Sequence, residues 1–221
     1  MAVTIVLLIL WTGFAGSHLA LSSRAVRGAL IARLGEGAFR LFYSLLALAF
    51  FVPLVWTYFT NKHAGPWLWT LPRSAWLIGL VSAGMAIAFV LLAAGMARPS
   101  PASISPGAPT PSGAQRITRH PVFMAFAIFG LLHLLPNGST ADIVFFGGFV
   151  VFALVGGWHQ DQRVLAGGNP DVRAFLAATP FLPFTGSTTL QGLKELPPAV
   201  VVVGLALTVL VRYFHAAWFG G

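Results

Sequence analysis

Six apolar runs, almost free of charge, decide what this chain of 221 residues can fold into. They extend over roughly Val3–Leu21, Leu41–Thr60, Ala75–Met96, Pro121–Leu135, Ile143–Trp158 and Pro198–Phe219. A bilayer core is crossed by about 20 residues of helix. The runs therefore predict an all-α, polytopic membrane protein with about six transmembrane helices and short interfacial helices between them. The fourth and fifth runs are short and need flanking residues, or a locally thin protein, to complete a crossing. The first leads straight into Arg24 and Arg27 and has no basic region before it, so it reads as a span rather than a signal peptide. Composition agrees: 57% of residues are hydrophobic and only 8% are charged, against about 25% charged in soluble domains. That leaves too little polar surface to cover a water-soluble globule. No internal repeat is visible, and residues 1–221 read as a single domain.

The net charge of +8 resembles a nucleic-acid signal, but the basic residues lie between apolar runs and read as topology determinants and lipid-headgroup contacts. Ten of them (Arg24, Arg27, Arg33, Arg40, Arg98, Arg116, Arg119, Arg163, Arg173 and Lys194) follow runs one, three and five. Three (Lys62, Arg73 and Arg212) fall on the opposite side. The bias predicts both termini on the non-cytoplasmic face, periplasmic if the membrane is a bacterial inner membrane. Trp56, Tyr58, Trp67, Trp69, Trp76, Tyr213 and Trp218 then form an outer aromatic belt. The chain has no cysteine, which excludes disulfides, thiolate ligands and covalent haem attachment through C-x-x-C-H.

Between the runs, "SSRAVRGALIARLGEGAF" predicts an interfacial helix with its arginines on headgroups. "RPSPASISPGAPTPSGAQ" predicts a mobile or extended cytoplasmic loop. "DVRAFLAATPFLPFTG" is amphipathic and aromatic and predicts a segment folded back against the membrane face. Small residues paired four apart, such as Gly13 with Ser17 and Gly79 with Ala83, together with Gly147-Gly148 and Gly156-Gly157, predict close helix packing.

The six histidines fall into two layers. His18, His120 and His159 lie near the cytoplasmic ends of runs one, four and five; His63, His133 and His215 lie towards the outer face. His63 and His215 read as interfacial residues. His133, beside Pro136 and Asn137, reads either as a packing residue or as part of a second site. His159, in "WHQDQR" with Asp161 and Arg163, belongs to a polar span end. His18, in "GFAGSHLAL", sits about a turn inside its span, where an ionisable group marks a functional site by default. Antiparallel topology predicts His18 and His120 at one depth on different helices.

The trio Arg119-His120-Pro121 opens the fourth run. A residue before proline is pushed out of the helical region, so His120 should cap the helix and Pro121 start it. The helix amino end and the Arg119 fork favour an anion. Two chemistries stay open. His120 is a metal or haem ligand with Arg119 on a propionate, or the trio holds the carboxylate or phosphate of a cofactor.

Together, "GSHLALSS", "ARLGEGAFRLFYSLLALA", "RITRHP", "HLLPNG" and "FFGGFVVFALVG" resemble the NnrU-like membrane family over most of the chain. That family takes its name from a denitrification-associated gene and is related to zeta-carotene isomerase, an integral membrane haem b enzyme with two histidines on its iron. The resemblance implies haem b held by His18 and His120 with Arg119 beside it, and isomerase-like or redox action on an apolar ligand or a role in nitrogen-oxide metabolism. It matches His133 to a further recurrent histidine. A second resemblance joins "RHP", Asn137 and "DQRVLAGGNPDVRAFLAATPFLPF" to isoprenylcysteine and phospholipid methyltransferases. It implies S-adenosylmethionine held by His120, with Asp161 and Gln162 standing where those enzymes carry an acidic pair. A non-catalytic membrane accessory protein is the third possibility. Ser17 and Thr118 are the expected partners for the second ring nitrogens of His18 and His120.

Overall fold

The computed structural model describes residues 1–103 and 108–220. They form ten helices in the order α1 (Ala2–Ser22), α2 (Arg24–Leu34), α3 (Glu36–Thr60), α4 (Ala75–Ala97), α5 (Ala114–Ile117), α6 (Pro121–Leu134), α7 (Thr140–Leu165), α8 (Pro170–Ala178), α9 (Thr189–Lys194) and α10 (Pro198–Phe219). Five of them (α1, α3, α4, α7 and α10) are long and apolar enough to cross a membrane. The fifth apolar run is completed by flanking residues into the 26 residues of α7. The fourth is not, since α6 stops at 14 residues, about 21 Å of helix. The result is an all-α chain of five candidate spans and one shorter apolar helix.

The helices group into two compact units. One comprises Met1–Leu71 and Leu134–Gly148; the other comprises Pro72–His133 and Phe149–Gly221.

In the first unit α1 packs along α3, and α2 lies against both. None of the residues of α2 is buried, as a surface helix requires. The packing partners are small against large: Gly13 faces the Phe50 ring, and Gly148 abuts the buried indole of Trp11. Gly16, Gly79 and Gly147 face open space instead, so the small-residue pattern marks packing at some positions and not at others. The start of α7 is closed by a reciprocal cap. The amide of Asp142 donates to Ser139 Oγ at 3.2 Å, and the amide of Ser139 donates to Asp142 Oδ2 at 3.1 Å. The backbone of the segment after α3 supplies further acceptors, Pro66 O to the Thr140 amide and Ala64 O to the Ala141 amide.

In the second unit α4 and α10 pack along each other. Gly204 of α10 makes it possible, because a Cβ there meets Val90 Cα at 2.7 Å. Ala88, Leu91, Ala94, Ala114, Ile117 and Ala125 make the buried cluster of this unit. The short α5 and α9 are clasped by Glu195, whose carboxylate accepts from the Gly113 amide and from Arg116 Nε, both at 2.9 Å. The Gly113 bond foremost, then Arg116 and Gln191, hold that carboxyl below its ordinary pKa.

The proline-rich loop expected to be mobile or extended is packed at its described flank. Ala102 is fully buried, and Arg163 Nη2 donates to its carbonyl at 2.7 Å. Residues 104–107, the centre of that loop, lie outside the described residues.

Candidate functional site

Pro121 begins α6, and the Met124 amide donates to the His120 carbonyl at 2.9 Å. His120 is therefore the cap that its position before proline requires. Its side chain points into the protein and is almost wholly buried, at 3% exposure. Nε2 of the ring lies 2.8 Å from Asp161 Oδ1, and the rings of Phe123 and Phe181 meet it edge-on at 6.0 and 5.5 Å.

The neighbouring guanidinium uses the same carboxylate. Arg119 Nε donates to Asp161 Oδ2 at 2.8 Å, and Nη1 donates to the carbonyls of Leu176 at 3.2 Å and Thr179 at 2.8 Å. Phe181 covers the guanidinium, with the ring centroid 5.2 Å from Cζ. The segment after α8 does fold back as its amphipathic pattern predicts. The Arg119 amide donates to Pro180 O at 2.9 Å, and Thr118 Oγ1 donates to Phe181 O at 2.7 Å.

Asp161, a secondary candidate in the sequence, thus stands at the centre of the site. At 3% exposure its charge needs compensation, and Arg119 and His120 supply it. The partner expected for the His120 ring was Thr118; it is Asp161. The Thr118 hydroxyl instead accepts the His120 backbone amide at 3.3 Å. Beside this network runs a groove of about 270 Å³ lined by Arg119, Leu154, Trp158, Asp161, Gln162, Leu165, Leu176 and Phe181.

The other candidates make contacts of their own. His18 belongs to the first unit. Its Nδ1 lies 2.8 Å from Phe14 O, the same carbonyl that accepts from Ser17 Oγ, so a backbone group and not Ser17 orients the ring. The rings of Phe14 and Tyr43 flank it at 4.2 and 5.0 Å. His133 repeats this geometry in the second unit, with Nδ1 2.8 Å from Phe129 O and His215 at a ring separation of 6.5 Å. Asn137 lies in the turn between α6 and α7, and His159 lies half-buried near the end of α7. Arg163 holds Ala102 rather than the groove. Among the described residues no group of three or more His, Cys, Asp or Glu side chains is placed to hold a metal ion.

One cluster escaped the sequence reading. Asp142, fully buried, accepts the Tyr58 hydroxyl at 2.8 Å and His63 Nδ1 at 3.0 Å. His63 reaches it from a left-handed backbone conformation, φ +58°. An acidic residue just ahead of an apolar run, three residues after a serine, was the available signal.

The helices and the buried charge network define a multi-pass helical membrane protein with a polar site at one end of α7. The family model for NnrU protein matches residues 6–221, and the chain belongs to the NnrU family. It is also similar to the 15-cis-zeta-carotene isomerase, chloroplastic, of Zea mays, at 24% identity over 201 residues, which are 87% of this chain and 52% of that protein. The chain therefore spans about half the length of that relative. No solved structure matches.

Proposed function

We propose that this NnrU-family protein binds haem b and an apolar ligand in the membrane, and acts on that ligand by an isomerase-like or redox reaction. The observation that carries the haem assignment is the 2.8 Å contact of His18 Nδ1 with Phe14 O. A carbonyl only accepts, so the contact with Phe14 O puts the proton on Nδ1 and leaves the lone pair on Nε2. A neutral imidazole held this way, on an apolar helix and between two aromatic rings, would suit His18 to holding haem through its iron. Haem, when bound, supplies a redox-active iron.

His120 fits that role differently. Its Nε2 is engaged by Asp161, so ligation through that atom requires the carboxylate to give way. In the arrangement described, Asp161 fixes the ring, Arg119 fixes Asp161, and the imidazole–carboxylate pair holds a proton beside the groove. The relative's name supports an apolar ligand for this chain.

Absorption spectra of the purified protein, oxidised and reduced, test the proposal. Protein made under haem-sufficient conditions should show b-type bands. His18→Ala should lose most of the haem or turn low-spin iron high-spin, and His63→Ala should keep it. Haem-free wild-type protein sinks the assignment.

A second reading, an S-adenosylmethionine-dependent methyltransferase, is favoured by Arg119, Asp161 and Gln162 lining one groove, with His120 behind them on Asp161. It expects S-adenosylmethionine to raise the melting temperature, and His120→Ala but not His18→Ala to abolish the effect. A non-catalytic accessory role in nitrogen-oxide metabolism expects neither haem nor S-adenosylmethionine to bind.

A further inference from the structure

We propose that the groove beside Arg119 takes the polar end of an uncharged, lipid-soluble ligand, with a hydroxyl or carbonyl head on a hydrocarbon body, and rejects the same body carrying a carboxylate or phosphate. The inference rests on the apolar-ligand reading above and adds the chemistry of the head.

The walls of the groove come largely from one stripe of α7. Leu154, Trp158, Asp161 with Gln162, and Leu165 recur at helical spacing, and Leu176 and Phe181 close the other side. Along the stripe the exposed Leu154 and Trp158 give way to Asp161 and Gln162, with the half-buried Leu165 beyond them. Leu154 and Trp158 are exposed, Trp158 at 58%. The apolar end therefore opens on the outer flank of α7, which for a spanning helix faces lipid.

The charge at the polar end is cancelled from within. Arg119 meets Asp161 at 2.8 Å and two backbone carbonyls besides, and Asp161 also takes His120. An anion entering here meets the Asp161 carboxylate beside the guanidinium and finds the charge it would bind already balanced. A cation faces Arg119. An uncharged hydroxyl or carbonyl meets neither penalty, and the exposed Gln162 amide offers it both a donor and an acceptor.

The test uses full-length protein in phosphatidylcholine nanodiscs, labelled with 5-fluorotryptophan, with the Trp158 ¹⁹F signal identified from Trp158→Phe. The probes are farnesol and farnesyl phosphate, which share one tail. Farnesol should shift the Trp158 signal saturably, and farnesyl phosphate should need at least about tenfold more, since like-charge juxtaposition costs several times RT. Asp161→Asn, which frees the guanidinium, should reverse the preference. Gln162→Lys, at an exposed position that leaves the buried network intact, should improve farnesyl phosphate binding even if Asp161→Asn fails to fold. Equal binding of the two probes to wild type, or no saturable shift with farnesol, overturns the proposal. Haem absorbance of the same sample separates the two claims. Haem-loaded protein indifferent to farnesol defeats the groove assignment alone, whereas haem-free protein that prefers farnesol supports it and defeats the haem assignment.

Discussion

Asp161 carries two basic neighbours on one buried carboxylate, and that single side chain turns three separate sequence signals into a site. Its oxygens divide the work: Oδ2 takes Arg119 Nε and Oδ1 takes His120 Nε2. Desolvating a carboxylate is costly, and removing a partner from a buried pair costs more than the pair itself contributes. Asp161→Asn preserves shape and loses charge, leaving the Arg119 guanidinium, 19% exposed as a side chain, against a neutral amide. We expect a loss of about 3 kcal/mol, read as a lower melting temperature in detergent. Asp171→Asn, at an exposed position, should change stability by about 0.5 kcal/mol or less. Equal melting temperatures for the two variants would show that the network contributes nothing to stability. The sequence presented Arg119 as a fork for an external anion; the anion it holds is the protein's own. Spacing alone could not reveal this, because residues 119 and 161 meet only once α6 and α7 are side by side.

At the scale of elements, the apolar runs located every long helix, since about 20 apolar residues satisfy both the lipid and their own backbone hydrogen bonds only as a helix. Boundaries depended on local chemistry: Pro121 fixed the start of α6, and the Ser139–Asp142 cap fixed the start of α7. Which small residues pack was not legible, because Gly79 and Gly204 look alike in sequence. Gly204 lies on the backbone of Val90, whereas Gly79 faces open space. Backbone cannot swing aside as a side chain can, so Gly204→Ala should force α4 and α10 apart at a cost of about 1–3 kcal/mol. Gly79→Ala should be neutral or slightly stabilising, through helix propensity. Thermal denaturation of both variants checks the pair, and a Gly204→Ala protein as stable as wild type would contradict the packing.

For the molecule as a whole, the ten-to-three distribution of basic residues predicts both termini outside the cytoplasm. Reporter fusions at either end should be active only in their non-cytoplasmic form; a cytoplasmic signal from one end would reduce the crossings to an odd number. The 14-residue α6 is the element on which that parity depends. What the sequence determined by itself was the solvent and the secondary structure: the scarcity of charge demands lipid, and lipid demands helices. It also picked out Arg119 and His120 as unusual at the mouth of an apolar run, and Asp161 only as a stand-in for an acidic pair. Only the tertiary structure decided how those residues are used, because hydrogen bonds between helices depend on packing angles and side-chain direction that no local pattern encodes. The commitment of His120 to Asp161 and the Tyr58–Asp142–His63 cluster are both products of that packing.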